Sequence, residues 1–235
     1  MNLYVIGGHS GDEAVMAGAL IHKYAKHGHR VFMVSLTNGD GGHPELSRSE
    51  YRIQKDREAA EAAKILGAEC VLFPCSSGAL QVGEEATGQL AELFQAAKPD
   101  LVITHWQGSV HRDHEAAHWN TIRAMKQSGN AEVPLYFAEN WEDKKGFLPE
   151  LWVMVDEEDV AAWEKACSCF QFFRDSFYKF PYRTYYKNLF QNRGLEARGT
   201  LASVLMPYRA LTQRIENEIP GCPLGTGSAI SQKGS

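Results

Sequence analysis

Val5-Ile6-Gly7-Gly8-His9-Ser10-Gly11-Asp12-Glu13 reads as an apolar strand that ends in a turn carrying one imidazole and two carboxylates, then continues as a helix. Much later, Leu101-Val102-Ile103-Thr104 makes another short apolar strand. The loop after it runs His105-Trp106-Gln107-Gly108-Ser109-Val110-His111-Arg112-Asp113-His114. In an open parallel α/β sheet, sites form at the carboxyl ends of strands, and two such loops face each other when their strands are neighbours at the switch point of the strand order. His9 and Asp12 from the first loop and His114 from the second then converge. Two nitrogens and one oxygen, with a position left for water, is the ligand set of a catalytic zinc ion.

Outward from these loops, helical periodicity is expected over 12–26, with Val15, Met16, Ala19, Leu20 and Tyr24 on the apolar face, and again over 47–66, 84–97 and 113–127. Ser10 and Glu13 have the S-x-x-E spacing of a capping box. Gly67 stands where a helix C-cap belongs. Strands are expected at 30–36, 70–73, 135–138 and 151–155, and the remainder is read as mainly helical. Strands alternating with helices of this length predict a largely parallel sheet with helices on both faces, a three-layer α/β/α fold of the Rossmann-like kind. One domain is expected over 1–220. The tail 221–235, rich in Gly and Ser and poor in apolar residues, is read as disordered.

With 235 residues, 44% of them hydrophobic, the chain can bury one good-sized core. A net charge of -5 without a Lys/Arg cluster gives no footprint for nucleic acid or an anionic membrane surface. No stretch reads as a signal peptide or a bilayer span, so the expected location is the cytoplasm. The five cysteines are an odd number with no C-x-x-C pair, which indicates neither a disulfide framework nor a cysteine zinc site. A dinucleotide site is disfavoured too, because Gly7-Gly8-His9-Ser10-Gly11 lacks the G-x-G-x-x-G spacing and no acidic residue closes the strand at Leu36.

His-x-x-Asp at one strand end is a weak signal alone. Joined to His111-x-x-His114 at another, it becomes fairly specific. His118 lies four residues after His114 on one helical face and is read as a supporting or packed histidine. His105 is either a substrate-facing donor or a packed loop residue. After the fifth strand, Trp141 or Tyr136 would stack on a sugar face and Asn140 or Glu139 would bond hydroxyls, unless the loop merely packs. Arg48 and Arg52 are candidates for binding a phosphate or carboxylate. The aromatic residues between Trp163 and Tyr186 suit core packing or a homo-oligomer interface.

In order along the chain, His9-x-x-Asp12-Glu13 at a helix start, the loop Ser35-Leu36-Thr37-Asn38-Gly39-Asp40-Gly41-Gly42, Glu58-Ala59-x-x-Ala62-Ala63-x-x-Leu66-Gly67 and His111-Arg112-Asp113-His114 resemble the PIG-L or LmbE-like N-acetylglucosaminyl deacetylases. Val155-Asp156 and Phe170-Gln171 resemble that family's late segment, so the likeness covers roughly residues 1–205. It implies zinc-dependent amide hydrolysis on an N-acyl amino sugar or related small molecule, with His9, Asp12 and His114 as ligands. Iron(II) or another divalent ion is the alternative to zinc. The resemblance also implies that His111 stabilises the oxyanion or protonates the leaving amine, with Asp113 beside it. One departure matters: the family start is usually His-Pro-Asp-Asp-Glu, and Gly11 stands where its first aspartate, the proposed general base, would be. Glu13, Asp40, Asp113 or a carboxylate on the substrate are the candidate replacements. The competing expectation is a metal- or sugar-binding relative with little catalysis. Gly11 is further expected to open space beside the metal for a bulkier or acidic substrate.

Overall fold

The computed structural model describes residues 1–175, 177–208 and 214–224. In chain order they form β1 (Asn2–His9), α1 (Asp12–Lys26), β2 (Arg30–Thr37), α2 (Arg48–Leu66), β3 (Glu69–Cys75), α3 (Glu84–Ala96), β4 (Leu101–Thr104), α4 (Arg112–Gln127), β5 (Leu135–Ala138), β6 (Leu151–Met154), α5 (Glu157–Cys167), α6 (Gln171–Asp175), α7 (Tyr182–Glu196), β7 (Ala202–Pro207) and β8 (Arg214–Glu216). The strands make one sheet in the order β3-β2-β1-β4-β5-β7-β6-β8. β1 pairs in parallel with β2 on one side and β4 on the other, so the order reverses between β1 and β4. Their carboxyl ends therefore lie together.

Side chains alternate across a strand, and β1 shows the consequence. Leu3 and Val5 enter the core shared with α1, α2 and α5, whereas Tyr4 and Ile6 enter the opposite core with α3 and α4. Helices thus cover both faces, which is why the strands read as continuous apolar runs. No helix among the described residues is long and apolar enough to cross a membrane.

Three expectations need correction. The segment after Val155 holds the helices α5, α6 and α7 but also two strands that were not expected: β7 inserts between β5 and β6, antiparallel to both, and β8 pairs in parallel with β6. A six-residue apolar run such as Ala202–Pro207 carries no period that separates strand from buried helix, and only its partners decide. Ser10 does not cap α1. Gly11 occupies the cap position with φ 107°, and the Ser10 hydroxyl turns away to the Lys55 carbonyl at 3.4 Å. The reciprocal capping boxes are Ser47 with Glu50 and Asp156 with Asp159, while Gly67 ends α2 in the left-handed conformation as expected. The aromatic segment packs as core, one of its two expected roles: Trp163, Phe170, Phe172, Phe173, Tyr182 and Tyr186 are all buried. The third correction concerns the tail expected from Gly221: Cys222 is fully buried, Gly221 and Pro223 are exposed, and 225–235 lie outside the described residues.

Candidate active site

His9 is the last residue of β1, Asp12 the first of α1, and His114 sits in the first turn of α4. The short Ser10-Gly11 turn brings Asp12 back under His9, and its Oδ2 accepts from the His9 backbone N–H at 2.7 Å. Three donor atoms then form a triangle. His9 Nδ1 lies 3.1 Å from Asp12 Oδ2, His114 Nε2 lies 3.2 Å from the same oxygen, and the two nitrogens are 3.2 Å apart. A tetrahedral zinc ion with bonds of 2.0–2.2 Å has ligand edges of about 3.3 Å.

The outer nitrogens of both imidazoles face carboxylates. His9 Nε2 is 3.0 Å from Asp113 Oδ2, and His114 Nδ1 is 3.0 Å from Asp143 Oδ1. A proton on each outer nitrogen leaves lone pairs on His9 Nδ1 and His114 Nε2 aimed at one point together with a carboxylate oxygen. Carboxylates on the far side of imidazole ligands are the usual support of a metal centre. The donor set fits a divalent cation, and His105 and His111 stand next to it in the two overlapping donor groups His9–His111–His114 and Asp12–His105–His114.

His105 is fully buried and stacks on His114 with ring centroids 3.9 Å apart. Its Nδ1 donates to Asp143 at 2.7 Å, and its Nε2 is 3.2 Å from Asp12 Oδ2. Burial disfavours its charged form, but Asp143 and Asp12 outweigh burial and hold its pKa up at about 10. Of the two readings of His105, the packed one describes its place. His118 also packs, with Nδ1 donating to the His105 carbonyl at 3.0 Å.

A cavity of about 460 Å³ opens over the triangle, lined by His9, Asp12, the glycines of the β2–α2 loop, Arg48, Lys55, His111, Trp141, Glu142, Phe172, Tyr178 and Tyr182. His111 is the N-cap of α4, and its Nδ1 accepts from the Asp113 N–H at 3.2 Å, which leaves the proton on Nε2. Burial and the neighbouring His9 and His114 lower its pKa to about 4, so the ring is neutral.

Other expected site residues fall outside the cavity. Asp40 is held by Ser76 Oγ at 3.0 Å and the Ser77 N–H at 2.8 Å. Asp113 is taken by His9 and the Gly78 N–H. Glu13 is buried behind the turn, accepting from Gly11 N at 3.2 Å. Arg52 lies on α2 outside the lining, Tyr136 is buried with its hydroxyl on the Pro220 carbonyl, and Asn140 is buried with Oδ1 on the Glu142 N–H. None of these side chains lines the cavity.

The space expected beside Gly11 is filled. A Cβ there would meet Phe172 at 3.1 Å and Phe170 at 3.2 Å. Both rings come from a segment more than a hundred and fifty positions later, which no local reading of the turn reveals.

Two acidic residues went unassigned in the sequence reading. Asp143, fully buried, bridges His105 and His114. Glu142 places Oε2 3.9 Å from His114 Nε2 and is, with Asp12, one of the two carboxylates among the described lining residues. Burial pushes its carboxyl pKa up. The adjacent Glu-Asp pair after a strand, on the catalytic edge of the sheet, was the available signal.

The family model described as GlcNAc-PI de-N-acetylase, PIG-L, matches residues 4–125. The 4-oxalmesaconate hydratase of Pseudomonas putida is 26% identical over 108 residues, covering 43% of this chain and 42% of the relative. The 1D-myo-inositol 2-acetamido-2-deoxy-alpha-D-glucopyranoside deacetylase of Thermobifida fusca is 25% identical over 163 residues, 56% of this chain and 57% of the relative. The chain thus spans about half the length of the curated relatives it matches. Among solved structures, the 4-carboxy-2-hydroxymuconate hydratase of Pseudomonas putida superposes with a TM-score of 0.78 at 19% identity, covering 91% of this chain and 98% of that one. The N,N'-diacetylchitobiose deacetylase of Pyrococcus horikoshii gives 0.72 at 17%, covering 88% and 83%. Both likenesses are of fold.

Proposed function

The chain belongs to the PIG-L family of GlcNAc-PI de-N-acetylases, and from that premise we propose that it is a zinc-dependent N-deacetylase acting on an amino sugar or related small N-acyl substrate. The observation that carries this reading is the triangle of His9 Nδ1, Asp12 Oδ2 and His114 Nε2, with sides of 3.1, 3.2 and 3.2 Å beneath an open cavity. Zinc held there supplies Lewis acidity and makes water acidic enough to use near neutral pH.

The chain's own residues divide the remaining work. Glu142 takes the proton as water adds to the acyl carbon, and passes it to the amine nitrogen as the C–N bond breaks. It replaces the aspartate that Gly11 lacks. His111, neutral and protonated on Nε2, donates to the oxyanion, a contribution that grows as charge develops. Asp113 and Asp143 orient His9 and His114, and Trp141 offers an aromatic face to a sugar ring.

A second reading is addition of water to a carbon–carbon double bond. Two observations favour it: the glycine at the position of the usual base, and the 26% identity to a hydratase. Purified chain reconstituted with zinc, assayed for free amine on N-acetylated sugars and amines and for loss of enoate absorbance on unsaturated acids, separates the two. Amine release that needs His9 and His114 supports the deacetylase. Enoate hydration without amine release selects the hydratase, and neither activity in a zinc-bound protein leaves a binding relative.

A further inference from the structure

Lys55 has no part in the steps above, yet its ammonium lines the cavity from the third turn of α2 while the residue is only 3% exposed. It donates to the carbonyl of Ser10, the residue after His9, and lies over the rings of Phe172 at 4.5 Å and Phe170 at 4.9 Å. Gly39, in the left-handed region at φ 65°, closes the site from above: a Cβ there would meet Lys55 Cε at 3.1 Å and His9 Cβ at 3.2 Å. The nitrogen is thus fixed beside a candidate metal ligand.

No carboxylate among the described residues lies within ion-pair distance of that ammonium. An ammonium carries three N–H donors, and a single carbonyl accepts one. Aromatic faces attract a cation but do not neutralise it. A buried charge without a counterion is costly to keep, and a neutral ligand does not require one. Arg48, at the cavity mouth, is already engaged by the Ser77 carbonyl at 3.1 Å and Asp40 at 3.4 Å, whereas Lys55 has no ion-pair partner among the described residues.

We infer that the substrate carries an acidic group, a carboxylate or its equivalent, that binds Lys55 on the cavity floor beside the candidate metal centre. The inference deepens the reading above and rests on it only for the reaction performed next to the acid. Phe172, backed by Phe170 in the space beside Gly11, forms the apolar wall against which that acid is desolvated, so the wall that excludes a family-type base also strengthens the cation's hold on an anion.

The test titrates succinate and its neutral isostere succinamide into the 235-residue chain, zinc-loaded and metal-free in parallel, by calorimetry. Succinate is expected to bind about tenfold or more tighter than succinamide in both forms. Lys55→Met should erase that margin without changing zinc content. Lys55→Gln, which keeps a donor for the Ser10 carbonyl, should erase it too, so a misfolded first variant leaves the question answerable. Equal binding of the two ligands by the metal-free wild-type chain, absence of binding included, overturns the proposal, as does a margin that survives in a folded neutral variant. Because the metal-free titration involves no turnover, failure of the deacetylase reading and failure of the acidic-substrate reading are told apart.

Discussion

Asp143 holds His114 by an Oδ1 to Nδ1 contact of 3.0 Å, with both residues buried. The same carboxylate binds His105 Nδ1 at 2.7 Å through its other oxygen. One fully buried acid therefore fixes the orientation of two stacked imidazoles and the tautomer of His114, and it presents His114 Nε2 to the point shared with His9 and Asp12.

Asp143→Asn should weaken zinc binding by roughly 10–100-fold while retaining the fold, because an amide cannot accept from both imidazoles. Competition with a chromophoric chelator, beside a thermal melt, measures it. Unchanged affinity would remove Asp143 from the support of His114.

Glu142→Gln should lower kcat by about 10²–10⁴-fold with zinc content intact, the range for a lost general base. The comparison variants Glu13→Gln and Asp40→Asn address acids that lie outside the cavity. If either abolishes turnover in folded, zinc-bound protein while Glu142→Gln does not, the proton route is assigned to the wrong carboxylate.

Gly11→Asp restores the family's usual residue and should still fail as a rescue. At φ 107° an L side chain is strained by roughly 1–2 kcal/mol, and its Cβ would press on Phe170 and Phe172 at 3.2 and 3.1 Å. Overpacking adds about 1–3 kcal/mol. A lower Tm with no gain in activity is expected; a stable, faster enzyme would show that the two rings yield.

Lys55→Met should stabilise the unliganded chain. Burial lowers the Lys55 pKa from 10.5 to about 8, with Asp12, Glu58 and Glu13 opposing it only in part. At about 1.4 kcal/mol per pKa step the buried charge costs about 3 kcal/mol at pH 7, and loss of the Ser10 hydrogen bond returns about 1, leaving a net gain of about 2. The sign sets the pH window. The folded chain releases the proton near pH 8 and the unfolded chain near 10.4, so wild-type stability rises across that interval and the variant's advantage shrinks. Urea denaturation at pH 7 and pH 10 reads both values; an advantage that does not narrow contradicts the assignment.

Much of this was legible before any coordinates. The apolar runs of β1 and β4, each ending in a histidine-bearing loop, fixed the parallel sheet and its reactive edge, since a strand buried on both faces and a polar loop at its carboxyl end are local properties. The three atoms of the triangle come from two such loops, and their spacing alone nominated them. What failed was whatever depended on partners distant in sequence. β7 has no period of its own and is a strand only because β5 and β6 flank it. Tyr136 and Asn140 were read either as substrate contacts or as ordinary packing, and both are buried.

The sequence by itself determined the element order as far as β6 and the residues at the ends of β1 and β4, because hydrophobic period and turn chemistry act over a few positions. The tertiary structure alone decided that Phe170 and Phe172 occupy the space beside Gly11, that Glu142 is, beside Asp12, the carboxylate facing the cavity among the described residues, and that Lys55 lies buried without an ion-pair partner among them. Each of these is a statement about which groups share a small volume, and packing settles that between segments the chain keeps far apart.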